Sequence, residues 1–432
     1  MEITEVKLDK IVGGGQAIGT LDSGQKIFVW GGLPGETVNV RVTKKKSKLI
    51  EGIVTDVLSP SPNRIEPIDH ESYLSTSPWQ IINFQFEQQQ KAELIDQAFE
   101  LHNIKLPNSS SVSTDSNQFN YRNKLEFSWY SETDPTSGLD NLDLAFYKRG
   151  SRGKIIVNGS SLANNAINLL AVQIRDVLRT KIVSARQLKT LLIRCDQQGN
   201  CVWQLYVKEK NVNFIDDHEA QLLDAKGGEI IYSNPKSPAS VITERLKQFG
   251  EKTLTDNILG VPFNYPAESF FQINLPVYEQ VLVDMSSWVS KDLPLIDFYS
   301  GVGTIGLTIG QSETTLIEVN ESAVNEMRQN IIRLDKNATP ILAPSELSTS
   351  YISNKHQIIL DPPRAGLHQD VITALLEKLP PRIIYLSCNP VTQARDISLL
   401  NDKYRIVHHK GYNFFPRTPH IEHLIILDKI TD

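Results

Sequence analysis

Apolar and polar positions alternate in short runs over the first sixty residues. Lys26-Ile27-Phe28-Val29-Trp30 and Thr37-Val38-Asn39-Val40-Arg41-Val42 both read as strands, because successive side chains of a strand face opposite sides. Gly13-Gly14-Gly15, Asp22-Ser23-Gly24 and Gly31-Gly32-Leu33-Pro34-Gly35 punctuate these segments, so a small β-barrel is expected over 1–60. Ser59-Pro60-Ser61-Pro62 breaks the pattern and reads as a linker. The period then becomes helical. Ala92, Leu94, Ile95 and Phe99 fall near one face of a helix expected over Phe84 to His102.

Strands expected at Leu125–Tyr130 and Val202–Val207 and a helix at Leu162–Lys181 make 61–260 a central α+β domain. The Phe84 helix is free to pack on the following domain. From 261 to 432 apolar strands alternate with helices: Leu295–Phe298, Thr315–Val319, Ile358–Leu360, Ile383–Ser387 and Leu424–Leu427. That alternation predicts an α/β fold with a mainly parallel, doubly wound, Rossmann-like sheet and ligands at the C-terminal strand ends.

Composition changes this picture little. The chain has 432 residues, 40% apolar and 22% charged, which is ordinary for a globular protein of two or three domains. It holds no apolar run near the ~20 residues of a membrane span. The acidic start Met1-Glu2-Ile3-Thr4-Glu5 is unlike a secretory signal. Three cysteines, Cys195, Cys201 and Cys388, form no disulfide framework, so a reducing cytoplasm is expected. The net charge of −6 argues mildly against nucleic acid. A local basic surface can still operate on an acidic protein, and Lys44-Lys45-Lys46-Ser47-Lys48 is the densest basic cluster.

Candidate chemistry gathers at the strand ends. Gly301-Val302-Gly303-Thr304-Ile305-Gly306 follows a strand and fits a nucleotide-type cofactor loop. Glu318, near the end of the next strand, suits ribose hydroxyls of either NAD or S-adenosylmethionine. The opening Asp297-Phe298-Tyr299 is unlike a dinucleotide site. Asp361-Pro362-Pro363-Arg364 and Ser387-Cys388-Asn389-Pro390 downstream have no role in hydride transfer. An Asp-Pro-Pro alone equally suits an amino-methyltransferase. A thiol and a carboxylate together suit carbon methylation of a pyrimidine, which needs a nucleophile at C6 and a base for the C5 proton. Cys388 and Glu422 are the candidates, with His420 in His420-Ile421-Glu422 a rival base.

Together these motifs resemble the RNA uracil-C5 methyltransferase family, in its TRAM-containing branch, over nearly the whole chain. The N-terminal segment with Leu33-Pro34-Gly35-Glu36 is similar to a TRAM domain, an RNA-binding barrel. Tyr121-Arg122-Asn123-Lys124 resembles the central motif that lies towards RNA, and Ser269-Phe270-Phe271-Gln272-Ile273-Asn274 the motif that opens the methyltransferase domain. The resemblance implies that Gln272, Tyr299, Glu318 and Asp361 contact S-adenosylmethionine, beside Gly301 and Gly303 of the cofactor loop. It makes Cys388 the nucleophile and Glu422 the base, and places Arg122, Lys124, Lys44, Lys45 and Lys46 towards RNA. It also implies 5-methyluridine in 23S ribosomal RNA, with tRNA second, in a monomer. A cytosine-C5 methyltransferase fits less well, since that class carries its thiol in other settings. From another class, an RNA-binding or folding protein with secondary or lost catalysis is the rival, against which the intact pair Cys388 and Glu422 speaks. One departure stands out. Members of this branch commonly hold an iron–sulfur cluster on four cysteines. Here residues 67–80 and Ser160-Ser161 contain none, so the cluster and any metal site are expected to be absent.

Overall fold

The computed structural model describes residues 3–46, 49–133 and 140–431. Ser47 and Lys48 of the basic cluster, and Met1 and Glu2 of the N-terminal reading, lie outside the described residues.

The alternating N-terminal pattern closes into a five-stranded barrel of Ile3–Ile11, Ala17–Thr20, Lys26–Trp30, Thr37–Lys46 and Leu49–Ser59. Its interior is filled by the apolar half of each alternation, including Val6, Leu8, Ile27, Val29, Val38 and Val40. The Leu-Pro-Gly-Glu turn has a specific task. Glu36 is fully buried and accepts hydrogen bonds from Leu33 N (2.8 Å), Ser61 N (3.0 Å) and Arg64 Nε (2.6 Å). A buried carboxylate needs such partners. The expected linker around Ser61 is therefore pinned to the barrel.

A seven-stranded sheet follows, in the order Glu244–Gly250, Gly227–Tyr232, Cys201–Val207, Leu188–Cys195, Lys124–Thr133, Asp140–Tyr147 and Lys154–Ile156. The helix Asn165–Thr180 packs on it through Ile167, Leu170, Ile174 and Leu178. Cys195 and Cys201 face each other across an antiparallel pair and are joined as a disulfide. This corrects the expectation that the cysteines stay unpaired: the tight turn between the two strands brings Cys195 and Cys201 together. The hairpin of Thr253–Ile258 and Val261–Pro266 turns at Leu259-Gly260 and packs with the helix Leu275–Ser286 that follows it.

The C-terminal sheet has eight strands, ordered Ala338–Leu342, Thr314–Glu318, Leu295–Phe298, Gln357–Leu360, Arg382–Ser387, Glu422–Lys429, Tyr404–Tyr412 and Val112–Ser113. The first five run parallel; Glu422–Lys429 runs against them, and Tyr404–Tyr412, antiparallel to Glu422–Lys429, returns to their direction. The helix Phe84–Glu100 starts on an Asn83 cap that accepts from Phe86 N. It buries Leu94, Ile95 and Phe99 in the same core as Ile383, Tyr385 and Ile397, so it belongs to this sheet's packing. Because the parallel strands share a direction, Tyr299, Glu318, Asp361 and Cys388 all emerge at one edge. Glu422 enters the sheet at that same edge.

Candidate active site

Each side chain of the site is placed by a strand end. Leu295–Phe298 leads into Tyr299, whose φ of 63° is left-handed, an uncommon state for a bulky residue. The turn continues through Gly301 and Gly303 into the helix Thr304–Ile309. The two glycines differ. A side chain at Gly301 would meet almost nothing, so its backbone lies open to a ligand. At Gly303 a Cβ would lie 2.8 Å from Leu307 Cδ1, so this glycine serves the turn and the helix packing.

Asp297 accepts a hydrogen bond from Gly306 N at 2.9 Å and is fully buried. Burial pushes its carboxyl up to about 8. It ties the turn together from beneath. Glu318 grips the same turn from the next strand, accepting from Gly301 N (3.0 Å), Val319 N (2.9 Å) and Asn320 N (2.8 Å).

A cavity of about 710 Å³ runs along this edge. Glu318, Tyr299, Asp361, Cys388 and Glu422 line it in the order of their strands, with Gln272, Gly301, Arg364 and His420. The volume falls within the range of small-molecule sites. Ser387 pairs with His423 in the antiparallel ladder. One residue further on, Cys388 leaves its strand where Glu422 enters the neighbouring one. Cys388 is half-buried, and Asn389 caps the following helix by accepting from Val391 N. The thiol thus sits in a sharp strand-to-helix turn.

Charge and burial set the protonation of the site. Burial, then Glu422 and Asp361, push the Cys388 thiol up to about 12. Burial and Asp361 raise Glu422 well above the usual carboxylate range. Burial raises Asp361 to about 7. Burial, then the Arg364 guanidinium, lowers His420 to about 3. In the free protein the thiol and Glu422 are both shifted towards their protonated forms, and His420 towards its neutral form.

The opening motif of the domain is clamped from the central sheet. Arg194 donates to Ser269 O (2.7 Å) and Phe271 O (3.3 Å), and Asn123 donates to Gln272 O (2.9 Å). Asn274 Nδ2 donates to Phe414 O (3.1 Å). Phe270 remains 72% exposed at the cavity while Phe271 is buried.

The residues expected towards RNA are scattered. Arg122 and Lys124 lie beside the clamp; burial and Arg194 push Lys124 down to about 8. Tyr121, their neighbour, donates to Pro416 O (3.0 Å). Lys44, Lys45 and Lys46 stand at the end of the barrel strand Thr37–Lys46, where Lys44 pairs with Glu51 (3.0 Å).

Two clusters had no signal in the sequence. The fully buried Glu87 accepts from Asn413 Nδ2 (2.8 Å) and Arg417 N (3.1 Å) and pairs with Lys91 at 3.0 Å. Lys91 donates in turn to Asn413 and to Phe415 O (3.1 Å). The loop leading to His420 and Glu422 is thereby held by the Phe84–Glu100 helix. The second cluster occupies the segments where the resemblance places cysteines. Gln80 Nε2 donates to Asp69 Oδ2 (2.9 Å), Ser77 Oγ (2.7 Å) and Ser161 Oγ (3.1 Å), and Ser161 Oγ donates to Asp69 (2.9 Å). Among the described residues no group of three or more His, Cys, Asp or Glu side chains is placed to hold a metal. No helix of the described residues is long and apolar enough to cross a membrane.

Comparison with known proteins agrees with this architecture. The fold matches, over 98% of this chain, that of the tRNA (uracil-54, C5)-methyltransferase of Pyrococcus abyssi in complex with S-adenosyl-L-homocysteine; the TM-score is 0.79 at 21% identity, covering all of that chain. The fold is thus an α/β methyltransferase domain with a TRAM barrel ahead of it. Residues 347–430 match the family model described as tRNA (Uracil-5-)-methyltransferase, and residues 2–55 match the TRAM domain. RNA methyltransferases of Enterococcus faecalis and Streptococcus agalactiae are each 27% identical, covering 100% and 99% of this chain and 98% and 99% of their own lengths. By these matches the chain is similar to RNA uracil-C5 methyltransferases and carries a TRAM-like segment ahead of the methyltransferase fold.

Proposed function

We propose that this protein methylates C5 of a uridine in RNA, with Cys388 as nucleophile and Glu422 as base. The observation that carries the reading is the placement of Cys388 and Glu422 on adjacent strands, over one cavity shared with Glu318 and Asp361. Uracil C5 is a weak nucleophile. Addition of the Cys388 thiolate to C6 moves the ring's π electrons onto O4, and C5 becomes carbanion-like. C5 then takes the methyl group. The Glu422 carboxylate accepts the C5 proton, the C5–C6 double bond re-forms and the thiolate leaves.

S-adenosylmethionine would supply the methyl group as an electrophilic sulfonium. The residues present fit it: the backbone at Gly301 is open, and Gln272, Tyr299, Glu318 and Asp361 line the cavity. Glu318 carries acceptor oxygens suited to ribose hydroxyls. Burial, then Glu422 and Asp361, raise the thiol, and the positive sulfonium of a donor held by these residues would offset the carboxylate part of that shift. The RNA base must leave its stack to reach this cleft.

We place 23S ribosomal RNA first as target, on the resemblance carried by the sequence motifs; the barrel at residues 2–55 does not separate the two RNAs, since the tRNA methyltransferase of Pyrococcus abyssi shares the fold over 98% of this chain. A tRNA uridine is the second reading, favoured by the description of the family model matched at residues 347–430. The cytoplasm, where both RNAs reside, is the proposed compartment. Mapping 5-methyluridine in rRNA and tRNA from cells lacking the gene separates the readings. Loss of one rRNA site supports the first, and loss of a tRNA site replaces it with the second. No loss in either, with no methyl transfer to undermodified total RNA by the pure protein, rejects the function.

A further inference from the structure

A second cavity, of about 450 Å³, opens on the other side of Cys388. It shares Arg364, Cys388 and His420 with the first cavity, so the two meet at the thiol. Its far wall is the glycine turn of the N-terminal barrel, Gly13-Gly14, and its near wall is Pro390-Val391 and Pro419.

The cavity is built rather than left over. The barrel turn is seated firmly: Trp79 Nε1 donates to Gly15 O at 3.0 Å, and a Cβ on Gly15 would fall 2.1 Å from Pro419 Cβ. Beside that tight contact the turn withholds side chains from the cavity. A Cβ on Gly14 would meet nothing within 4 Å, and one on Gly13 would meet only Val391 Cγ2 at 3.8 Å. Gly14 has a left-handed φ of +93°, which favours glycine. Gly13 is not among the positive-φ residues. Neither backbone nor packing requires glycine at position 13, so the space it leaves is available to a ligand. Val391, 42% exposed, and the two prolines offer apolar faces, and the Arg364 guanidinium lies at the junction. An unstacked base can be held between apolar side chains and against an arginine plane.

We propose that this cavity is a subsite for the base of one nucleotide adjoining the target uridine, held between the barrel's glycine turn and the Cys388 loop. The proposal rests on the uridine-methylation reading. With the target base in the first cavity, the RNA strand passes Cys388, and a neighbouring base can enter the second. The barrel then contributes directly to the choice of RNA at the nucleophile.

The test uses the full chain and a synthetic RNA hairpin carrying the mapped uridine, intact or with an abasic ribose on either side of it. For the wild type, one abasic position should lower kcat/KM by roughly tenfold or more, the scale of one stacked base. Gly13→Phe should suffer a similar loss on the intact hairpin and little further loss at that abasic position. Val391→Phe fills the cavity from the opposite wall and should show the same coupling, which guards against a misfolded turn; melting temperature monitors folding. Indifference of the wild type to both abasic positions, or losses that simply multiply, would overturn the subsite while leaving the methylation reading intact. Failure of the wild type to methylate the intact hairpin removes both.

Discussion

Cys388 and Glu422 stand one residue beyond the ladder pair Ser387–His423, on neighbouring antiparallel strands. Their closeness has an electrostatic consequence. Burial is the largest cause of the raised Cys388 thiol, and Glu422 comes next. Alkylation of Cys388 in the free protein should therefore rise with pH, with a midpoint above the ordinary thiol value of about 8.5. Glu422→Gln should move that midpoint down, because a neutral amide removes the like charge while burial persists. A midpoint that stays put in Glu422→Gln, followed by mass spectrometry of the alkylated thiol, would show that the two groups do not interact.

The choice between Glu422 and His420 as base can be read from a stalled intermediate. His420 lies at about 3, pushed down first by burial and then by Arg364. A ring so reluctant to hold a proton is a feeble base near neutrality. Glu422→Gln should still allow thiol addition and methylation of C5, then stall before elimination, leaving a methylated protein–RNA adduct on a denaturing gel. Loss of a general base typically costs about 10²–10⁴ in rate. His420→Ala should be milder. An adduct accumulating with the His420 variant and not with the Glu422 variant would reverse the assignment.

Nucleophilicity in the native enzyme should follow the same logic. Cys388→Ala should abolish methyl transfer while S-adenosylmethionine binding by calorimetry is retained. RNA carrying 5-fluorouridine should form a covalent complex with the wild type alone, since fluorine cannot leave as the C5 proton does. Turnover by Cys388→Ala near the wild-type rate would remove the thiol from the mechanism.

Much of the site was legible because it lies on short apolar strands with polar ends. Leu295–Phe298 falls where the apolar run ends, and Gln357–Leu360 and Arg382–Ser387 begin one residue earlier than expected. Glu318 and Glu422 then follow as the end of one strand and the head of another. The strand Tyr404–Tyr412 escaped, because its sequence Tyr-Arg-Ile-Val-His-His-Lys-Gly-Tyr carries too many polar residues to read as buried sheet. Glu87 and Lys91 escaped for a related reason. Charged residues on a helix ordinarily face water, and only the fold brings Asn413 and Arg417 to them. The link between the two segments where the resemblance places cysteines escaped as well. Trp79 serves the barrel turn through Gly15, and the segments are joined by Asp69, Gln80 and Ser161.

That polar clasp makes a prediction about metal. Protein purified anaerobically should be colourless and iron-free, and a chelator should leave its melting temperature unchanged. Gln80→Ala strands Asp69 and Ser77 without their shared donor, which should cost about 1–3 kcal/mol. Stoichiometric iron and sulfide, or a chelator-sensitive melt, would contradict the clasp as the link between these segments.

The Glu87–Lys91 pair extends the site's dependence to a helix remote in sequence. Both side chains are fully buried, and burial is the largest cause pushing the Lys91 amine down to about 8. Because its folded pKa is below the unfolded value, the unfolded chain binds more protons between about pH 8 and the unperturbed lysine range, so this group's contribution to stability rises with pH across that window. Lys91→Met removes the amine but leaves Glu87 buried with a charge and fewer partners, which should cost about 3–5 kcal/mol. It also removes the Lys91 bonds to Asn413 and Phe415 O, two of the points at which the loop to His420 and Glu422 is held. Below the melting temperature of the variant, kcat should fall more than S-adenosylmethionine affinity, since Glu318 and Gly301 are held by other bonds. The upward slope of wild-type stability above pH 8 should flatten in Lys91→Met. Unchanged kcat in a folded Lys91→Met protein would show that the loop keeps Glu422 in place without the helix.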